Sequence, residues 1–186
     1  MNIFFLDRIP QHAAKYHCDK HVVKMVLESA QLLSTAHRLL DGQSKAGKSK
    51  SGRNVKRWTL NDYREGVLYQ AGHVNHPCAV WVRANIDHYR YVYDLLYFLI
   101  AEYRSRYGKT HKCEALLGPL LSAPNNISFD AEWIDPPQCM PDDVKVPTDT
   151  VLAYRQYYTI YKADMAKWSY SNEPNWWNKV IQGICS

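Results

Sequence analysis

The stretch CDKHVVKMVLESAQ, from Cys18 to Gln31, decides the fold prediction, because a helix sorts its residues into an apolar and a polar side. Apolar residues continue at helical spacing beyond it, as far as Leu40. The pattern therefore predicts a helix that begins at Pro10 or at Asp19 and ends near Leu40.

The polar side of this helix has two interpretations. Its residues recur every three or four positions and so share one face: His17, His21, Lys24, Glu28 and Gln31. The face could be solvated, with a Lys24–Glu28 ion pair that contributes a few tenths of a kcal/mol. Alternatively, a carboxylate beside histidine and lysine on a mostly apolar helix suits general acid–base chemistry. The sequence leaves both open.

The rest of the chain predicts a mostly α-helical protein, folded as a single compact domain over residues 1–186 with long irregular loops. Further helices are expected over 60–71, from Ala79 or Asp87 to Tyr107, and from about 149 to 168. HVNHP, residues 73–77, is typical of a turn. Proline and asparagine make residues 117–147 an irregular segment.

Composition indicates a globular intracellular protein. The chain has 186 residues, of which 46% are hydrophobic and 22% charged, and no apolar run reaches the roughly 18 residues of a membrane helix. Its five cysteines are an odd number without a CxxC pair, which favours reduced thiols over a disulfide framework. We therefore expect a cytoplasmic protein.

Positive charge is concentrated in one segment. Residues 41–57, DGQSKAGKSKSGRNVKR, contain six basic residues and one acid, and their excess equals the formal net charge of +5 for the whole chain. Glycine, serine and lysine predict a flexible loop here. Such a loop could bind phosphate backbones or could simply be solvated.

A second cluster could bind a metal ion. His73, His76 and Cys78 form an HxxHxC pattern, to which Cys18 or His111 could add a fourth ligand. No spacing fixes that fourth residue. We therefore expect no metal site, and a metal-dependent hydrolase centred on this cluster is kept as an alternative.

Aromatic residues are unusually frequent, with fourteen tyrosines and six tryptophans. In AYRQYYTIYKADMAKW, Tyr154 and Tyr158 alternate with basic residues such as Arg155, and Trp176 and Trp177 follow in the tail. Aromatic and basic side chains together can stack on bases and bind phosphates. Packing of the last helix explains the same pattern equally well.

Three motifs in order resemble the bacteriophage pyrimidine-dimer DNA glycosylases of the endonuclease V type and their bacterial relatives. They are the helix DKHVVKMVLESAQLL, the turn HVNHPCAVW and the long helix YRYVYDLLYFLIAEYRSRYGKTHK. The resemblance covers roughly residues 3–112, and the tail is more loosely alike. The whole chain is also similar to a widespread group of phage proteins, which would place it in the cytoplasm of a host cell.

The resemblance implies a helical, cofactor-independent enzyme that binds double-stranded DNA. In this family an amine attacks the sugar C1′, the base leaves through a Schiff base, and a glutamate transfers protons. By position, Glu28 is the catalytic carboxylate and His21 a supporting group. The residues that we assign to DNA contact are Lys20, Arg38, Lys45, Lys48, Lys50, Arg53, Asn75, His76, Arg83, Arg106, Lys109, Tyr154, Arg155, Tyr158, Trp176 and Trp177.

The nucleophile is the point at which the chain departs from the family. The family uses the α-amine exposed by removal of the initiator methionine, whereas here Asn2 follows Met1, and asparagine is bulkier than the residues that usually permit removal. Met1, Asn2 and Lys24 are therefore all candidates. Leu27 and Gln31 replace the family's phosphate-binding arginines, so the lesion is not specified. A DNA-binding protein without catalysis, or an inactive relative, is the main alternative.

Overall fold

The computed structural model describes residues 1–49 and 51–177. It confirms the prediction of a mostly α-helical chain. The helices are α1 (Pro10–Tyr16), α2 (Asp19–Asp41), α3 (Pro77–Val82), α4 (Ile86–Tyr107), α5 (Leu117–Leu121) and α6 (Thr150–Tyr161). One antiparallel hairpin, β1 (Gln43–Lys48) and β2 (Asn54–Thr59), follows α2.

The helix predicted from Pro10 or Asp19 is two helices. Pro10 occupies the first turn of α1, where its missing N–H costs nothing. The chain becomes extended at His17 and Cys18, with ψ of 133° and 164°, and α2 then begins at Asp19. The break turns the chain between α1 and α2, and both helices lie against α4.

Helices α2 and α4 form the centre of the hydrophobic core. Leu33 of α2 and Leu95 and Leu99 of α4 have no exposed surface. The side chain of Asn85 accepts a hydrogen bond from the His88 N–H and so caps the start of α4. Gly108 ends the helix at φ +62°, a conformation that glycine adopts without strain.

The amino-terminal arm is part of this core. Residues 3–6 form neither a strand nor a helix, and each is at most 4% exposed. Burying four consecutive apolar side chains contributes several kcal/mol, at roughly 1.5–3 kcal/mol for each large one. The arm is therefore held firmly over the face of the protein that carries the candidate site.

Three local predictions were wrong. The predicted loop at 41–57 is the hairpin, in which Lys45 pairs with Arg57, because backbone pairing stabilises strands whose side chains carry no apolar pattern. Residues 60–71 contain only the 3₁₀ turn Tyr63–Gly66 in place of a helix. The last helix ends at Tyr161, several residues before Trp168.

The segment 117–147 is irregular for most of its length, apart from α5 and a 3₁₀ turn at Asp142–Val144. Other 3₁₀ turns lie at Lys112–Leu116 and Ala163–Met165. Within the described part of the chain, none of the helices has both the length and the apolar character needed to cross a membrane.

Candidate active site at the amino terminus

The backbone of the amino-terminal arm meets the carboxylate of Glu28. The Asn2 N–H donates a hydrogen bond to Glu28 Oε2 at 3.0 Å, across 26 positions of sequence. Asn2 Oδ1 accepts hydrogen bonds from the N–H groups of Ile3 and Phe4. Phe4 has φ +50°, which is uncommon for a residue with a side chain. This tight turn directs the start of the chain at Glu28.

Glu28 is held from two sides. Its second oxygen, Oε1, lies 3.2 Å from Lys24 Nζ one helical turn earlier. The Glu28 side chain is only 13% exposed, whereas that of Lys24 is 60% exposed. The carboxylate is therefore largely shielded from water, with one ammonium at its outer edge.

The turn at residues 73–76 brings a third group to the site. The Nδ1 atom of His76 accepts a hydrogen bond from the Cys78 N–H at 3.2 Å and so caps α3. Burial, and next the positive charges of the Met1 α-amine and His73, lower the pKa of His76, while Glu28 opposes them. The charges of the Met1 α-amine and of Glu28 are thus both close enough to His76 to influence its protonation.

Two thiols complete the surroundings. The Cys78 thiol donates to Cys139 Sγ at 3.7 Å, and the Asn2 Nδ2 atom donates to the Cys139 carbonyl at 3.0 Å. The bond from Cys78, helped by the Cys78 N–H and the Met1 α-amine, lowers the pKa of Cys139 to about 7. The same bond raises the pKa of Cys78. Cys139 is therefore the sulfur that ionises first.

Several predicted catalytic residues converge, and one does not. Met1, Asn2, Lys24 and Glu28 lie together. His21 is 4% exposed and lies in an aromatic cluster, where its Nδ1 is 2.6 Å from the Tyr158 hydroxyl. Burial, and next the charges of His17 and Lys24, lower the pKa of His21 to about 3. His21 is therefore a neutral core residue, which corrects its assignment to the site.

Two predicted DNA contacts are interior arginines. Arg38 is fully buried and donates to the carbonyls of Trp58, Glu65, Leu68 and Tyr69 and to the Glu65 carboxylate. Arg106 is 6% exposed and donates to two carbonyls near α1 and to the carboxylates of Asp19 and Glu102. The N–H groups of both guanidinium groups are used in hydrogen bonds inside the protein, so neither arginine is available to bind a phosphate.

The aromatic residues of α6 and the tail also pack inside. Tyr154 and Tyr158 have no exposed surface, and Trp176 and Trp177 are nearly buried. Arg155 donates to the Leu6 carbonyl and to Asp7, and it lies over the ring of Trp176. The assignment of these residues to DNA stacking is corrected to packing of α6 against the arm.

Six of the remaining predicted contacts are open to solvent. They are exposed side chains on α2, the hairpin, the turn before α3 and the end of α4: Lys20, Lys45, Lys48, Arg53, Asn75 and Lys109. Arg83 is partly buried and donates to the Val74 carbonyl at 2.8 Å, so it braces the turn. Lys50 lies outside the described residues.

Sequence reasoning counted Cys139 among the reduced thiols but did not assign it to a site. It lies 61 positions after Cys78, in an irregular stretch without helical or strand periodicity, and no motif joins the two residues. The expected partners of the histidine–cysteine cluster are elsewhere. The Cys18 N–H donates to the Tyr158 hydroxyl, and His111 caps the Cys113 N–H.

An apolar groove of about 480 Å³ adjoins the site. Asn75 and Pro77 form one end of it, and its walls include Val80, Trp81 and Ile134. Val80 and Ile134 are 45% and 61% exposed, which is high for aliphatic side chains. The groove therefore offers an open apolar surface beside the turn that carries His76.

Comparison of the chain with family models, with curated proteins and with solved structures found no match.

Proposed function

We propose that the protein is a DNA glycosylase and lyase that acts on a damaged or modified base in duplex DNA, with an amine at its amino terminus as the nucleophile. The hydrogen bond of 3.0 Å between the Asn2 backbone nitrogen and Glu28 Oε2 carries this proposal. A part-buried N–H needs some acceptor, but this acceptor is a largely shielded carboxylate that can also take a proton from an amine at the same position.

The proposed chemistry begins at the sugar C1′ of an extruded nucleotide. The amine forms a bond to C1′ as the bond from C1′ to the base breaks, and the amine passes its proton to Glu28. Opening of the sugar ring then gives a Schiff base, from which elimination cleaves the strand. General acid–base assistance of this kind contributes roughly 10²–10⁴-fold to a rate.

The identity of the amine depends on Met1. If Met1 is removed, the Asn2 nitrogen becomes a free α-amine at the position now 3.0 Å from Glu28. If Met1 stays, its own α-amine lies one residue further and acts electrostatically on His76, Cys78 and Cys139. Lys24 reaches the same carboxylate from the solvent side. All three nitrogens are thus within the neighbourhood of Glu28.

The basic hairpin that follows α2 supports a nucleic-acid substrate. The hairpin presents exposed cations, among them Lys45, Lys48 and Lys56, and no described residue of the hairpin forms an ion pair with a described carboxylate. Unpaired cations on an extended ribbon bind phosphates without reading sequence. The apolar groove beside Asn75 is the proposed place for the extruded base.

Borohydride trapping tests the proposal. The wild-type protein is expected to form a covalent adduct with duplex DNA that contains an abasic site or a pyrimidine dimer. Glu28→Gln keeps an acceptor for the Asn2 N–H but cannot accept a proton, so we expect at least about a hundredfold slower adduct formation. Glu132→Gln changes an exposed glutamate elsewhere and serves as the matched control.

Mass spectrometry of the trapped complex locates the nucleophile. We expect the DNA on the first residue of the mature chain, either Met1 or Asn2. An adduct on Lys24 would transfer the role of nucleophile to that side chain, and an adduct on any other residue would overturn the proposed mechanism. Binding of the duplex with neither adduct nor strand cleavage would instead support the alternative of a DNA-binding protein without catalysis.

A further inference from the structure

We propose that His76, Cys78 and Cys139 bind a divalent transition-metal ion of the zinc class. This site goes beyond the proposed amine chemistry and does not depend on it. The ligand atoms of the three residues all lie within 4.8 Å of one another. They come from two chain segments, the start of α3 and the irregular loop that contains Cys139, so their convergence is a result of the fold.

The distance between the sulfurs fits tetrahedral coordination. Cys78 Sγ and Cys139 Sγ are 3.7 Å apart. Two thiolates bound to one tetrahedral zinc at about 2.3 Å each are separated by roughly 3.8 Å. A disulfide would need the sulfurs at about 2.05 Å. The observed spacing excludes a disulfide and fits two ligands on one ion, although a thiol hydrogen bond between the two sulfurs gives the same distance.

The donor set selects the kind of metal. Two thiolates and an imidazole are ligands for zinc and similar transition metals, whereas magnesium and calcium prefer oxygen. Three protein ligands leave a fourth position for water or for a substrate atom. The charges of the Met1 α-amine and of Glu28 both act on His76.

The surrounding bonds hold the ligands in place. The Asn2 Nδ2 atom fixes the Cys139 carbonyl at 3.0 Å, and Gln138 bonds to the backbone of Val146 in both directions. Nδ1 of His76 accepts from the Cys78 N–H. If Nδ1 of His76 binds a metal, it can no longer accept from the Cys78 N–H. This N–H can then donate to the Cys139 sulfur alone, with which it already interacts. Such outer contacts orient metal ligands.

Cobalt substitution tests the site without DNA. The full chain, reduced with a phosphine and stripped of metal, is titrated with Co²⁺. We expect one equivalent to bind, with thiolate-to-cobalt absorption in the near ultraviolet and the visible bands of a tetrahedral ion, and Zn²⁺ to displace it. Absence of these bands from the reduced wild-type protein would overturn the proposal.

Variants identify the ligands. Cys78→Ser and Cys139→Ser are expected to weaken Co²⁺ binding at least a hundredfold, whereas Cys113→Ser should bind normally, because Cys113 is a buried thiol that contacts Tyr69 outside the cluster. Equal binding by Cys139→Ser and the wild type would refute the assignment. Since a serine variant could unfold, alkylation of the wild type gives a second readout. Zn²⁺ should protect Cys78 and Cys139 but leave the reactivity of Cys113 unchanged.

Discussion

Arg38 satisfies five hydrogen-bond acceptors from a side chain that has no exposed surface. Four of them are backbone carbonyls between Trp58 and Tyr69, and the fifth is the carboxylate of Glu65. The segment after the hairpin has little regular structure beyond one 3₁₀ turn. The guanidinium therefore takes the place of the backbone ladder that a helix or a sheet would supply there.

Replacing Arg38 should destabilise the protein without touching the candidate site. The glutamine side chain in Arg38→Gln is too short to reach most of the acceptors. Each buried carbonyl left without a partner lowers the free energy of unfolding by about 1–3 kcal/mol. We expect the free energy of unfolding to fall by at least about 3 kcal/mol, measured by urea denaturation with circular dichroism. Lys20→Gln, at an exposed position of the same helix, is the control and should change the value by less than about 0.5 kcal/mol. Similar stabilities for the two variants would contradict the structural role of Arg38.

At the scale of elements, the hairpin is the surface proposed to bind a phosphate backbone. Its strands pair from Gln43 with Thr59 to Lys48 with Asn54, so its cations project from both faces of an extended ribbon. Gly52 lies in the connecting turn at φ +78°, where glycine avoids the strain that a side chain would meet. The pairing therefore fixes the backbone positions from which these cations project.

Removing charge from the hairpin should change the salt dependence of DNA binding. The logarithm of the binding constant falls linearly with the logarithm of the salt concentration, and each lost phosphate contact makes this slope less steep by about 0.9. The triple change of Lys45, Lys48 and Lys56 to Gln should therefore reduce the slope by up to about 2.7 and weaken binding at low salt, as measured by fluorescence anisotropy. The matched control changes three exposed lysines elsewhere, namely Lys15, Lys112 and Lys167. An equal loss for both triple variants would show that the hairpin has no special part in binding.

Periodic elements were predictable from the sequence, whereas contacts between distant segments were not. The centres of α2 and α4 follow from apolar residues at helical spacing, and the position of Glu28 on α2 followed with them. The hairpin strands QSKAGK and NVKRWT have no alternation of apolar and polar residues, so pairing alone defines them. The meeting of Asn2 with Glu28, and of Cys78 with Cys139, depends on tertiary packing that no local pattern encodes.

At the scale of the whole molecule, the buried histidines of the described residues share one property, and His88 has it too, since burial lowers its pKa. Burial is the main cause that lowers the pKa of His17 and of His37 to about 4, and that of His21 to about 3. The Arg64 guanidinium donates to His37 Nδ1, so the proton of the neutral ring lies on Nε2, which faces the Tyr89 hydroxyl at 2.8 Å. Each ring is packed as the neutral form, and a proton added to it would bury an unpaired charge.

These histidines make the folded state sensitive to mild acid. Their pKa in the unfolded chain is near 6.5, above the folded values, so the unfolded state binds protons first as the pH falls. Stability should therefore be complete above about pH 6.5 and decline towards pH 4, with a slope approaching about 1.4 kcal/mol per pH unit for each histidine. The carboxyls of Asp41, Asp62 and Glu65 also have lowered pKa values, through bonds to arginine and to backbone N–H groups. Their contribution to the stability of the fold is lost only at lower pH, where these carboxylates take up protons.

Urea denaturation at a series of pH values between 4 and 7.5 measures how the free energy of unfolding declines in acid. The variant His37→Gln isolates the contribution of one buried histidine to that decline. Glutamine can keep a single contact to Tyr89 or Arg64 but does not titrate, so the variant should be less stable at pH 7 and should lose less stability on acidification. His12→Gln, at an exposed position, should follow the wild type at every pH. A wild-type stability that stays level between pH 6.5 and pH 4.5 would show that the buried rings accept protons without cost, and the neutral packing inferred for them would be wrong.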